Sequence, residues 1–592
     1  MRIDEPTVRT PTRPPIEWGS DAIAEVLSRL DLPYISLTPG ASYRGLHDSL
    51  INYLGNEQPA MILCLHEEHA VAVAHGWAKV TGRPLAVGLH SNVGLMHATM
   101  AIFNAFLDRV PMVLLGATGP VDAPERRPWI DWIHTSADQG ALIRNYSKWD
   151  DQPASATAAV EAIARGHQLT CTHPAAPVYI NLDAAVQEGR LEQAVPIPDV
   201  SRHAPPAPPQ PSAADVEHVA GRLLAAERPL ILLGRSGRDA ADWEARVRIA
   251  ETLGAVVLTD LKMGAAFPTD HPLHPAPPAS FLSPEGQALL RRADAVLALE
   301  WTDLGSTLQQ AFGDAPIAAD VTSCGLDFTL YNGWSKDYGA LPPVDRSIAA
   351  HPDELVRALD ARLRGATQRQ HDGWPGTPDP QPDGALDGGG EIVMRGLARR
   401  LHAALEGHRP SFVRLPLGWN GHDLHATHPL DYLGADGGAG IGSGPGMAVG
   451  AALALQGTGR LPVAVLGDGD YLMSASALWT AAHYQLPLLV VIANNRSFFN
   501  DEVHQQRMAL QRDRAVENRW VGQHIRTPDP DLAGLARSLG CTGHGPVSDP
   551  AELEVTLATA ISEAAAGGTV VVDVRVAPAG YPGGPSAARR KG

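Results

Sequence analysis

Residues 461–495 read LPVAVLGDGDYLMSASALWTAAHYQLPLLVVIANN. The apolar runs Leu461–Leu466 and Pro487–Ala493 each have the length and character of a short buried strand. Between them Ser474 is placed to cap a helix that carries Leu478, Ala481 and Ala482 on one side. The order strand, tight turn, helix, strand, turn sets Gly467-Asp468-Gly469 at the carboxyl end of one parallel strand and Asn494-Asn495 at the end of the next. In an open α/β sheet, ligands bind there.

Asp468 and Asn495 would bring one carboxylate and one amide carbonyl to that end. Both are hard oxygen donors and suit Mg²⁺ or Ca²⁺ better than zinc. Two side chains do not fill an octahedron, so a backbone carbonyl, water and a bound phosphate should supply the rest.

The whole chain has 592 residues and a formal net charge of -18. The length gives three or four domains, and the charge argues against a nucleic-acid surface. Four cysteines, Cys64, Cys171, Cys324 and Cys541, are scattered without metal or redox spacing, which fits a reducing cytoplasm. No apolar run approaches the ~20 residues that span a bilayer, and Met1 to Pro15 lacks the apolar core of a signal peptide. The expectation is a soluble, cytoplasmic protein with neither a membrane nor a nucleic-acid partner.

Two stretches, 196–212 with its Ala-Pro-Pro-Ala-Pro-Pro and 365–390 rich in Gly, Pro, Asp and Gln, read as linkers. They divide the chain into parts 1–195, 213–364 and 391–578, followed by a tail, 579–592, expected to be flexible. In each part apolar runs alternate with amphipathic helices, so the fold class is α/β, three Rossmann-like domains with mainly parallel sheets. Strands are expected at Tyr34–Leu37, Met61–Leu65, Leu85–Leu89, Met112–Gly116 and Val178–Leu182 in the first part. In the second they are expected at Pro229–Gly234, Ala255–Leu258, Ala295–Glu300 and Ile317–Ala319.

The segment His66-Glu67-Glu68 opens a helix whose Ala70, Ala74 and Ala78 mark one closely packed face and which Gly82-Arg83-Pro84 ends. Glu67 stands in the first turn, where the helix dipole favours an acid. His66 and His69 raise a metal reading, but the spacing is one residue short of the metalloprotease pattern. A second histidine, His90, ends another strand and precedes another helix.

At the Gly467–Asn495 frame the chain resembles the thiamine-diphosphate enzymes, whose signature is Gly-Asp-Gly, about two dozen residues, then Asn-Asn. At His66-Glu67-Glu68, Gly76-Trp77-Ala78-Lys79 and Gly82-Arg83-Pro84 it is similar to the acetolactate synthase group within that family, frame for frame. The resemblance implies a pyrimidine-binding, a central and a diphosphate-binding domain. It assigns Mg²⁺ to Asp468, the Asn495 side chain and the Ser497 carbonyl, and the diphosphate end to Gly467, Gly469 and the backbone N–H of Asp470. The Asp470 side chain departs from the commoner Ser or Ala, and its charge should turn away from a diphosphate. Glu67 matches the glutamate that contacts N1' of the cofactor's aminopyrimidine.

The loop Gly437-Gly438-Ala439-Gly440-Ile441-Gly442-Ser443-Gly444, read alone, suggests a dinucleotide site, but no strand directly precedes it and no acidic ribose partner is evident. The resemblance places it under the cofactor, with the Ala439 carbonyl on the 4'-amino group and Ile441 bending the cofactor into a V. Leu89-His90-Ser91 resembles the benzoylformate decarboxylase branch, where such a histidine transfers protons. Thr38-Pro39-Gly40-Ala41-Ser42 resembles a substrate-facing loop, with Ala41 where that branch has a serine. His271, in Phe267-Pro268-Thr269-Asp270-His271-Pro272, resembles an active-site turn of some decarboxylases. His422 is a candidate phosphate or substrate contact in a polar loop, preferred over a zinc reading of its neighbouring histidines. Gly234-Arg235-Ser236-Gly237 lacks the full dinucleotide spacing, and FAD is not expected.

The activity implied is thiamine-diphosphate- and Mg²⁺-dependent decarboxylation of a small 2-oxo acid through an enamine, releasing an aldehyde. The alternative is an acetolactate-synthase-like carboligase that passes the enamine to a second carbonyl compound. Because family sites combine Glu67 of one subunit with Asp468 and Asn495 of another, a homodimer or homotetramer is expected.

Overall fold

The computed structural model describes residues 4–8, 13–327, 341–369, 387–388 and 390–578. The expected flexible tail and most of the expected 365–390 linker lie outside the described residues.

Three parallel sheets carry the fold. The first holds β1 (Tyr34–Leu37), β2 (Ala60–Leu63), β3 (Ala86–Leu89), β4 (Val113–Thr118), β5 (Trp149–Asp151) and β6 (Val178–Asp183) in the order β2-β1-β3-β4-β6-β5. In the second, β7 (Pro229–Leu233), β8 (Val256–Thr259), β9 (Ala295–Leu299), β10 (Asp320–Cys324) and β11 (Arg346–Ile348) run β11-β10-β9-β7-β8. A two-residue antiparallel pair, β12 (Asp387–Gly388) and β13 (Glu391–Ile392), follows. The third sheet orders β14 (Pro410–Arg414), β15 (Leu461–Gly467), β16 (Leu488–Asn494), β17 (Thr542–Val547) and β18 (Thr569–Arg575) as β14-β15-β16-β18-β17.

Central strands of such sheets are covered on both faces, so they are apolar throughout instead of alternating. β16 is buried at every position, and β15 at all but Gly467. Their parallel register pairs Gly467 with Ala493. Asp468 and Asn495 therefore leave the sheet from neighbouring strands at the same edge, as the sequence pattern implies.

The helix Glu67–Thr81 begins where the His66 side chain accepts a hydrogen bond from the Glu68 N–H and ends at Gly82, whose φ of 67° is left-handed. The helix Gly444–Leu455 crosses it at very short range. A Cβ on Gly76 would lie 2.1 Å from the Met447 carbonyl oxygen, and one on Gly450 would lie 1.9 Å from that of Val73. Only glycine permits this approach. The joint fixes the sheet that presents Glu67 against the sheet that presents Asp468.

Two local expectations need correction. The helix after β15 does not wait for Ser474: it runs Asp468–Ser474, and a second helix, Ala477–His483, follows. Ser474 is the last residue of the first helix, and its hydroxyl donates to the Gly442 carbonyl instead of capping a new turn. The strand expected at Ile317–Ala319 lies at Asp320–Cys324, because the partner β9 begins at Ala295 and pairs it with Asp320. The Asp320 charge is met by Arg222 at 3.0 Å, so an acidic residue can open a buried strand.

Candidate active site

The candidate metal end is drawn together by one shared donor. The Ser497 N–H donates to Asp468 Oδ2 at 3.1 Å and to Asn495 Oδ1 at 2.9 Å, drawing the carboxylate and the amide oxygen together. Asp468 Oδ1 accepts from the Gly469 N–H at 3.0 Å. Burial pushes the Asp468 carboxyl up to about 6, against the partial relief of these backbone donors. A buried carboxylate beside an amide oxygen is a hard-oxygen pair of the kind that helps hold Mg²⁺. Ser497 is itself anchored by Glu502, which accepts from its hydroxyl and lies 3.0 Å from His524 Nε2. Glu502 and His524 thus fix Ser497 beside Asp468 and Asn495.

Beside it lies the glycine-rich loop. Ala439 has a φ of 54°, unusual for a residue with a Cβ. Ile441 is 36% exposed, an apolar side chain at the loop tip that the chain itself only partly covers. The backbone of 437–440 lies against the helix Ser91–Leu107: a Cβ on Gly438 would meet Asn104 Oδ1 at 2.3 Å, and one on Gly440 would meet Met100 Cε at 2.4 Å. Asp470 Oδ1 accepts from the Gly442 N–H at 2.6 Å, and its Oδ2 lies 3.4 Å from Arg414 Nε at the end of β14.

Glu67 is 7% exposed and lies across the start of the helix Ser91–Leu107. Gly94 makes room for it: a Cβ there would be 3.1 Å from Glu67 Oε1. Glu67 Oε2 is 3.0 Å from His97 Nδ1, and the His66 ring stacks on His97 with centroids 4.8 Å apart. His66, Glu67 and His97 bring their ligand atoms within 4.8 Å of one another. His97 sits on the helix face that, one and two turns on, presents Met100 and Asn104 to the loop, so that helix joins Glu67 to the glycine segment.

His90 caps that helix by position. Its ring fills the space over Gly40, where a Cβ would come within 2.5 Å, and its Nδ1 is 2.9 Å from Ser42 Oγ. Ser42 Oγ also accepts from the Ser91 N–H at 3.1 Å. The His134 ring stands edge-on to His90 at 4.7 Å. Burial lowers the His90 pKa, and His134 and Arg127 lower it further against the opposing pull of Glu67. His90 is therefore a neutral imidazole near pH 7, held by a hydroxyl and close enough to Glu67 to feel its charge.

The remaining candidates lie elsewhere. His271 faces Glu251 at 3.3 Å and packs edge-on to Phe267, within the central part of the chain. His422 is exposed on the turn Gly421–Asp423, where Asn420 Oδ1 accepts from its N–H. The single chain brings neither to the Glu67–His90 group. Ser42, of the loop read as substrate-facing, joins it, as do His97 and His134, which the sequence left unnamed.

Among the described residues no helix is long and apolar enough to cross a membrane. Comparison with known proteins matches residues 17–142 to the N-terminal TPP-binding domain of thiamine pyrophosphate enzymes, 216–316 to their central domain and 418–574 to their C-terminal TPP-binding domain. A probable 2-ketoarginine decarboxylase of Pseudomonas aeruginosa is 25% identical over 579 residues, covering 94% of each chain. An acetolactate synthase of Mycobacterium avium is 24% identical, covering 89% of this chain and 82% of its own. The crystal structure of benzoylformate decarboxylase from Polynucleobacter necessarius shares the fold, with a TM-score of 0.77 at 18% identity over 96% of this chain and 100% of that one.

Proposed function

The chain belongs to the thiamine pyrophosphate enzymes, and from that premise we propose that it is a Mg²⁺-dependent 2-oxo acid decarboxylase releasing an aldehyde. The observation that carries this reading is His90, a half-buried neutral imidazole fixed by Ser42 and lying within electrostatic reach of Glu67. A 2-oxo acid that has lost CO₂ needs one proton before an aldehyde can leave. Neutral His90 can take up one proton, and its lowered pKa makes the resulting imidazolium a ready donor to the carbon that has lost CO₂.

Thiamine diphosphate, when bound, supplies the electron sink for decarboxylation. Asp468, the Asn495 amide oxygen and the Ser497 carbonyl would hold the metal and, through it, the diphosphate, with Gly467, Gly469 and the Asp470 N–H beside them. Ala439 and Ile441 would shape the middle of the cofactor. Glu67 would share a proton with the aminopyrimidine ring, and His97 keeps its carboxyl in place. His271 and His422 stay candidates for contacts with substrate or phosphate that a neighbouring subunit would complete.

We propose further that the working unit is at least a homodimer, with Glu67 of one subunit facing Asp468 and Asn495 of another. The carboligase reading is favoured by one finding, the similarity to acetolactate synthase over most of the chain. The protein loaded with thiamine diphosphate and Mg²⁺ is incubated with pyruvate, benzoylformate and branched 2-oxo acids, with and without an added aldehyde. Free aldehyde as the main product supports the decarboxylase. A 2-hydroxyketone as the main product replaces it with the carboligase.

A further inference from the structure

Asp470 is the one member of the Gly-Asp-Gly-Asp run whose side chain the proposed cofactor chemistry does not use. It is 6% exposed, in the helix that begins with Asp468. Its Oδ1 accepts from the Gly442 N–H at 2.6 Å and, more weakly, from the Gly444 N–H at 3.4 Å. Its Oδ2 lies 3.4 Å from Arg414 Nε, at the end of β14. Arg414 in turn pairs with Asp436 at 2.7 Å, and Asp436 accepts from the Ser443 hydroxyl at 2.7 Å. The Ser474 hydroxyl, one turn further along the same helix, donates to the Gly442 carbonyl.

The helix therefore grips Gly442 on both its N–H and its C=O. The neighbouring residues allow it: Gly442 has a φ of 107°, a conformation L side chains rarely adopt, and a Cβ on Gly444 would sit 2.6 Å from Asp470 Oδ2. A surface acid paired with an arginine would need neither feature. The Asp436 carboxylate closes the other end of the segment, so residues 436–444 are clamped at both ends through Arg414.

We infer that the Asp470 side chain is a positioning residue: it locks the 439–442 loop onto the helix that carries Asp468, so that the metal end and the pyrimidine end of the cofactor site are held as one unit before the cofactor arrives. This rests on the reading of the site as a thiamine diphosphate site. The carboxylate faces the backbone of the loop, so it acts through Gly442. Preorganising a loop in its bound shape removes an ordering cost from binding.

The test uses the full-length protein with Asp470→Ala, Asp470→Ser and Asp470→Asn. Hydrogen exchange is followed in the cofactor-free protein for peptides covering 437–446, and binding of thiamine diphosphate with Mg²⁺ is followed by calorimetry. Asp470→Ala should speed exchange in those peptides, leave the 461–467 strand protected, and weaken cofactor binding about 10- to 100-fold, the range expected for losing a charge-assisted hydrogen bond. Asp470→Asn keeps an acceptor for the Gly442 N–H and should restore most of the protection and affinity. Asp470→Ser, too short to reach Gly442, should behave like Asp470→Ala, and it stands in for that variant should Asp470→Ala not fold.

Unchanged loop exchange in the Ala or Ser variant, or cofactor affinity equal to wild type, overturns the inference. So does an Asn variant as impaired as Ala, which would make the Arg414 ion pair, and not the grip on Gly442, the working contact. Wild type that fails to bind thiamine diphosphate defeats the functional reading instead, while the exchange arm still decides what Asp470 does.

Discussion

Glu67 Oε2 and His97 Nδ1 stand 3.0 Å apart, on two helices that begin at the carboxyl ends of separate strands, β2 and β3. The contact gives the carboxyl one orientation, and Gly94 leaves the other oxygen room without a steric competitor. Proton sharing between Glu67 and a bound aminopyrimidine depends on that orientation. Glu67→Gln should lower turnover by about 10²- to 10⁴-fold, the usual worth of acid–base help. His97→Ala should lower kcat about tenfold with little change in substrate KM, and His97→Asn should recover part of it. Steady-state kinetics at saturating thiamine diphosphate decide this. A His97→Ala enzyme with wild-type kcat would remove His97 from the account.

His90 owes part of its lowered pKa to His134, whose ring stands 4.7 Å away. A lowered imidazole pKa means His90 becomes charged only below its ordinary 6.5. His134→Gln removes one of the groups that resist protonation, so the basic limb of the kcat profile, where the proton-donating form of His90 is lost, should move upward, towards 6.5. Movement in the opposite direction would contradict the assignment of that limb to His90.

Metal affinity should follow the Asp468 carboxyl, which burial raises to about 6. Above that pH the group is ionised and can ligate. Below it, protons compete, and apparent Mg²⁺ affinity should fall about tenfold per pH unit. Calorimetric titration of Mg²⁺ with thiamine diphosphate between pH 5 and 8, about the range most proteins tolerate, reads this slope. A flat response across pH 6 would place the metal elsewhere.

Gly450 tests the joint between the two cofactor-binding parts. A methyl group there would lie 1.9 Å from the Val73 carbonyl oxygen, so the helices must separate. Gly450→Ala should cost about 1–3 kcal/mol in stability, the usual range for overpacking, despite alanine's better helix propensity. Thermal unfolding with and without cofactor measures it. An unchanged midpoint would show that the joint yields without cost.

Much of this was legible in the sequence because the strands that hold the site are uninterrupted apolar runs. β15 and β16 fall within one residue of the runs read from Leu461 and Pro487, and β1 coincides with Tyr34–Leu37. Where charge and apolarity conflict, the reading slips. Asp320 opens β10 because Arg222 meets it, a partner nearly a hundred residues away that no local pattern discloses. Ser474 reads as a cap because serine at a helix start accepts from the backbone, yet here it donates to a loop brought in by tertiary packing. The hold of Asp470 on Gly442 could not be read, since that contact spans 28 residues of sequence. His97 and His134 were unreadable for the same reason: their partners Glu67 and His90 meet them only when separate strand ends converge.

The central claim is that each chain carries two halves of different sites, and subunit mixing tests it most directly. Glu67→Gln and Asp468→Ala proteins, each inactive alone, are co-refolded or exchanged and assayed for 2-oxo acid decarboxylation with thiamine diphosphate and Mg²⁺. Random pairing in a dimer should restore about a quarter of wild-type specific activity, because a mixed pair contains one site with both native residues. Mixed dimers, verified by differential tags, that remain as inactive as either parent would contradict the shared site.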